Sequence, residues 1–118
     1  MRKQIAAANW KMNLTLEEGM TLISEILDAK IILDSNQEAV FAVPLPYLIS
    51  IKNAIADKPN FFVAVQNCAS EKSGAFTGET SAQMIKGIGI FYVIIGHSER
   101  REYFDENNEI VAKKINLA

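Results

Sequence analysis

The sequence predicts an α/β fold built on a parallel sheet of four strand–helix units, and three observations carry that reading. Short apolar runs recur at residues 5–8, 39–43, 61–65 and 92–95. Each is followed by polar loop residues and then by apolar positions at helical period. The units repeat at about thirty residues, the length that a right-handed βαβ crossover requires. The runs are continuous rather than alternating, as expected of strands covered on both faces. Two architectures satisfy this order, an open doubly wound sheet or part of a (β/α)8 barrel, and periodicity does not choose between them.

The elements follow in order. The first strand leads into Asn9, Trp10, Lys11, Met12 and Asn13, and Thr15 then stands three residues before Glu18. That spacing is a capping box, which satisfies free N–H groups at a helix start. Met20, Ile23, Ile26 and Leu27 fall on one face of the helix it opens. The second strand ends at Pro44 and Pro46 because proline has no N–H for a sheet ladder, and a short helix is expected over 47–56. The third strand is closed by Gln66 and Asn67 and followed by a polar loop containing Gly74 and Gly78. "TSAQ" at 80–83 reads as a second capping box, and Gly87 and Gly89 end that helix. The fourth strand stops at Gly96, and the last helix is expected from near Asp105 or Asn107, carrying Ile110, Val111, Lys114 and Ile115.

Bulk properties narrow the function. At 118 residues the chain fits one domain spanning 1–118, and 49% hydrophobic with 22% charged residues is ordinary globular composition. A formal net charge of −2 offers no basic footprint for nucleic acid or an anionic membrane. The single cysteine, Cys68, excludes an intrachain disulfide framework and fits a reducing cytosol. The N-terminal apolar run stops at Asn9, too short for a secretory or membrane-spanning segment, so a cytoplasmic protein is expected. Neither glycine-rich nucleotide fingerprint is present, and one histidine far from one cysteine gives no metal-ligand spacing.

In any parallel sheet, residues just after each strand share the face where ligands bind. That rule gathers Asn9 and Lys11, Gln66 and Asn67, and His97, Ser98 and Glu99 on a common rim. A cation, amides, an imidazole and a carboxylate together suit a small, anionic, oxygen-rich ligand. Each also has a structural reading: Lys11 as a solvated loop lysine, His97 as a satisfied structural histidine, and Glu99, Arg100 and Arg101 as surface ion pairs. For Arg101 the ion pair is the preferred reading, and Cys68 reads as a small buried residue.

The segments "ANWKMN" (8–13), "QNC" (66–68), "GAFTGE" (74–79) and "YVIIGHSERREYF" (92–104) resemble the triosephosphate isomerase family in order and spacing. The resemblance covers the whole chain. It implies a TIM (β/α)8 barrel to which this chain supplies four βα units, and a homodimeric glycolytic and gluconeogenic enzyme without a cofactor. The reaction implied interconverts dihydroxyacetone phosphate and glyceraldehyde 3-phosphate through an enediolate. By motif match, His97, Lys11 and Glu99 are catalytic, and Asn9, Lys11 and Ser98 contact substrate. Thr77, Phe76 and Gly78 are expected at a subunit interface, and Glu79, Arg100 and Gln66 in structural roles, the first two as members of ion pairs. This family is itself the standard illustration of a neutral histidine electrophile, so that role comes with the resemblance and not from spacing.

The resemblance also says what these residues leave out. A full barrel takes about 250 residues and eight strands. In the family the glutamate general base follows strand six, and glycine-rich phosphate loops lie near strands seven and eight. The chain is therefore expected to be inactive alone. Two open sheet edges predict self-association or a complementary C-terminal half as partner. The alternative is a non-catalytic, phosphate-binding or self-assembling half-barrel module.

Overall fold

Residues 1–118 are described by a computed structural model. The strands β1 (Gln4–Asn9), β2 (Gln37–Val43), β3 (Phe61–Val65) and β4 (Tyr92–Val93) form one sheet in the order β1-β2-β3-β4. All three pairings are parallel, with Ala8 opposite Phe41, Phe41 opposite Val63, and Val65 opposite Val93. Sequential parallel neighbours, each joined by a helical crossover, are the order of a (β/α)8 barrel, and four strands make half of one.

Five helices connect or follow these strands: α1 (Leu16–Asp28), α2 (Leu48–Ala54), α3 (Ala82–Gly87), α4 (Ser98–Tyr103) and α5 (Asn108–Leu117). At α1 both halves of the capping box form. Glu18 N–H donates to Thr15 Oγ1 at 3.3 Å, and Thr15 N–H donates to Glu18 Oε2 at 2.9 Å. The expected box at 80–83 shifts by one residue: Ser81 is the cap, its Oγ accepting from Met84 N–H at 3.1 Å. Met84 then occupies the position where a box needs Glu or Gln, so no reciprocal bond forms. The helix expected over 47–56 shortens to α2 and is preceded by a 3-10 turn at Leu45–Tyr47, where Pro46 fixes the backbone before regular α-helix begins.

Alternation along β2 builds two apolar layers. Phe41 and Val43 face the helices with Ile23, Leu48, Ile51, Val63 and Val65, whereas Val40 and Ala42 face the concave side with Ala64. The helix-facing layer is closed, with Val43 and Ile51 fully buried. The concave layer is open, and an apolar cleft of 160 Å³ runs along it between Ile5, Ala8, Val40, Ala64 and Ile94. The expectation that both faces of every strand are covered fails at β1. Residues 4–8 are exposed, since only β2 flanks this strand. The fourth strand is likewise shorter than the run 92–95, although Ile94 N–H still donates to Val65 C=O at 2.9 Å. No helix is long and apolar enough to cross a membrane.

Trp10 is the hinge between strand and loop, buried against α1 at Gly19. A Cβ on Gly19 would meet Trp10 Cζ3 at 2.8 Å. Alanine gains about 1 kcal/mol of helix propensity over glycine, but overpacking a buried ring costs about 1–3 kcal/mol. Overpacking therefore outweighs the propensity gain, and Gly19→Ala should lower the denaturation midpoint. An unchanged or raised midpoint would mean that the indole moves aside freely.

At the opposite end of the strands, Glu38 is 8% exposed and meets Lys3 Nζ at 2.6 Å. Tyr92 O–H donates to its other oxygen, reaching across β3 to tie β4 to β2. The hydrogen bonds from Lys3 and then Tyr92 outweigh desolvation and hold the Glu38 carboxyl below its ordinary value of 4.5. A carboxyl depressed in the folded state adds stability above its unfolded pKa and loses it as pH falls through the folded one. Denaturant midpoints should therefore fall below pH 4.5, and Glu38→Gln should flatten that acid limb. An identical acid limb in both proteins would rule the contribution out.

Candidate functional site

The rim residues converge. A cleft of 370 Å³ at the C-terminal ends of the strands is lined by Asn9, Lys11, Gln66, Asn67, His97 and Glu99, among others. Two backbone turns and one side-chain amide put them there. Lys11 adopts a left-handed φ of +56°, turning the chain sharply after β1. Gln66 Nε2 reaches from the end of β3 to donate to Lys11 C=O at 2.9 Å and Ala42 C=O at 3.1 Å. Gly96 has φ +67°, and a Cβ there would meet Val111 Cγ2 at 3.0 Å. Only glycine combines that conformation with that approach of α5, so the run after β4 turns into α4 at His97.

His97 caps α4. The expected polar run is a six-residue helix, and Glu99 N–H donates to His97 Nδ1 at 3.1 Å. A backbone N–H only donates, so Nδ1 carries a lone pair and the imidazole proton lies on Nε2. The 3.7 Å approach of Glu99 Oε2 to the same Nδ1 is therefore not an ion pair. The carboxylate instead pairs with Lys11, whose Nζ lies 2.7 Å from Glu99 Oε1. The shared hydrogen bond, then the charge attraction, raises Lys11 above its ordinary value. The hydrogen bond from Lys11 is also the first cause that lowers the Glu99 carboxyl. Asn9 Oδ1 accepts from Lys11 N–H at 2.9 Å, which leaves its amide hydrogens as donors.

The other expected residues divide between the cleft wall and its surroundings. Ser98 is the first residue of α4, exposed and outside the cleft lining. Phe76 and Thr77 stand exposed on the loop between β3 and α3, with Gly78 on the cleft edge. Glu79 is exposed and lines the cleft, with no cation of this chain within 4.0 Å. Arg100 does form an ion pair, and its partner is Glu106. Arg101 donates to Asn108 Oδ1 at 2.9 Å rather than to a carboxylate, because the first turn of α5 lies within its reach. Cys68 is buried at 2% exposure, and desolvation pushes its thiol up.

Glu106 and Lys114 are absent from the sequence-based candidates, although both are only 5% exposed. Lys114 Nζ lies 3.1 Å from Glu106 Oε2 and donates to Asn67 Oδ1 at 2.7 Å. This pair thus links α5 and α4 to the cleft wall at the end of β3. Burial pushes the Glu106 carboxyl up, yet hydrogen bonds from Arg100 and Lys114 outweigh it and hold it low. The sequence does carry a signal for the pair: a lysine at an apolar-face position of α5 requires a buried carboxylate partner.

A family model described as triosephosphate isomerase matches residues 4–118. Triosephosphate isomerase of Cytophaga hutchinsonii is 47% identical over 119 residues, covering 100% of this chain and 47% of the relative. The Porphyromonas gingivalis enzyme of the same name is 48% identical over 118 residues, again covering 100% of this chain and 47% of its own length. The Clostridium beijerinckii enzyme is 43% identical over 118 residues, with 100% of this chain and 46% of the relative covered. The chain spans about half the length of the curated relatives it matches.

Proposed function

Because this chain belongs to the triosephosphate isomerase family, we propose that it supplies the electrophilic half of an isomerase active site. The reaction interconverts dihydroxyacetone phosphate and glyceraldehyde 3-phosphate through an enediolate, within glycolysis and gluconeogenesis. The observation that carries this reading is the placement of His97, with Nδ1 occupied by backbone, in one cleft with the Lys11–Glu99 pair. Removing a proton next to a carbonyl develops negative charge on oxygen, and catalysis needs donors aimed at it. His97 Nε2–H is such a donor. It polarises the carbonyl and shares or returns a proton without an imidazolium's excessive hold on the oxyanion. Lys11 offsets phosphate and enediolate charge, and the Asn9 amide donates to substrate oxygens.

The general base lies outside these residues. Glu99 is held ionised by Lys11 and is a poor proton acceptor. Glu79 also lines the cleft, but the family resemblance gives it a structural role. The chain alone therefore binds an enediolate-analogue inhibitor weakly and does not turn over substrate. Calorimetry with the analogue and an isomerase assay on contaminant-free chain test this: binding without turnover fits, whereas robust turnover overturns it. The free edges of β1 and β4 and the open concave face support cytoplasmic self-association, or pairing with a complementary half, with Phe76, Thr77 and Gly78 at a subunit interface. A compact monomer in light scattering at micromolar concentration would refute self-association.

A further inference from the structure

We propose that Gln66 is a positioning residue for Lys11, its side-chain amide holding the Lys11 peptide in the left-handed turn that delivers the ammonium to Glu99. Lys11 needs such a device. A φ of +56° is one that residues with a Cβ rarely adopt, and its side chain is 51% exposed, so packing does not fix it. The peptide is instead gripped on both sides. Its N–H donates to Asn9 Oδ1 at 2.9 Å, and its C=O accepts from Gln66 Nε2 at 2.9 Å. The same Nε2 donates its second hydrogen to Ala42 C=O at 3.1 Å. Two carbonyl acceptors can be met only by an NH2 group, so the orientation of this amide is determined and it has no freedom to turn. Gln66 thereby couples the end of β3 to the end of β2 and to the loop after β1, fixing a charge that no buried contact holds. Strain of this kind persists only where surrounding bonds over-determine it.

The inference rests on reading Lys11 as the cation of a substrate site, but its test reads loop geometry and not turnover. The substitution is Gln66→Met, similar in size and without donors, and the readout is the carboxyl titration of Glu99 by 13C NMR. Lys11 and His97 are the charged or titratable groups facing Glu99, and neither is substituted. In the unmodified chain the Glu99 midpoint is expected below the ordinary carboxylate range. In the variant it should move up towards that range as Lys11 leaves, while Glu38, held by Lys3 at the far end of the sheet, stays unchanged. An unmoved Glu99 midpoint overturns the proposal. Should the variant fail to fold, a through-hydrogen-bond coupling between Gln66 Nε2 and the Lys11 carbonyl carbon is sought in the unmodified chain. Its presence supports the assignment and its absence overturns it. Failure of analogue binding would count against the isomerase reading and leave these results standing.

Discussion

Glu106→Ala is expected to destabilise the fold by about 3–5 kcal/mol, since it leaves the buried Lys114 ammonium without its carboxylate. Against a whole-domain stability of about 5–15 kcal/mol, the loss is a large fraction, so the urea midpoint should fall steeply. The reason lies in three residues. Lys114 is 5% exposed, and its ammonium has only Glu106 and the Asn67 amide as partners. Arg100 turns its guanidinium between Glu106 and the face of Phe104, 4.6 Å from the ring centroid. Removing the carboxylate strands both. Glu106→Ala with Lys114→Met removes one of the stranded charges and should recover part of the loss, a coupling that a double-mutant cycle measures. Urea denaturation of the four proteins checks it. Additive losses would mean that Glu106 and Lys114 do not act as a pair.

The second large effect is catalytic. On the proposed isomerase reading, and with a complementary half supplied in trans, His97→Gln should lower kcat by about 10²–10⁴, the usual contribution of a positioned proton-transfer group. KM should change much less, because a donor that strengthens as charge develops acts on the transition state rather than on the bound substrate. Steady-state kinetics separates the two. A change confined to KM would make His97 a binding residue. His97→Asn gives a check on folding, since its Oδ1 can accept from the Glu99 N–H that His97 Nδ1 now satisfies.

Much of the fold is legible in the chain. The four apolar runs locate the strands, and the turn at Pro44 and the box at Thr15 locate helix boundaries, because these depend on local backbone chemistry. The rim rule then brings Asn9, Lys11, Gln66, His97 and Glu99 together, since every residue after a parallel strand faces the same end. Partners are harder to read. Glu79 has no cation beside it, and Arg100 pairs with Glu106, six residues along the chain, because α4 folds the segment back. Ser98 shares a motif with His97 yet lies outside the cleft lining, since successive helical residues diverge by about 100°.

By itself the sequence determined the order of the four strands and of the helices between them, the family and the chemical groups available at one end of the sheet, but not helix α4. These follow from periodicity, turn chemistry and motif identity, all of which are properties of neighbouring residues. Only the tertiary structure decided which groups meet: Lys11 with Glu99, His97 with a backbone N–H, Gln66 with the Lys11 carbonyl, and Lys114 with Glu106. Pairings across 55 residues, as between Gln66 and Lys11, depend on how the strands lie side by side and on left-handed turns that no local pattern encodes. The same packing left β1 and the concave face uncovered, because the neighbours that bury a barrel strand come from across the sheet and not from along the chain.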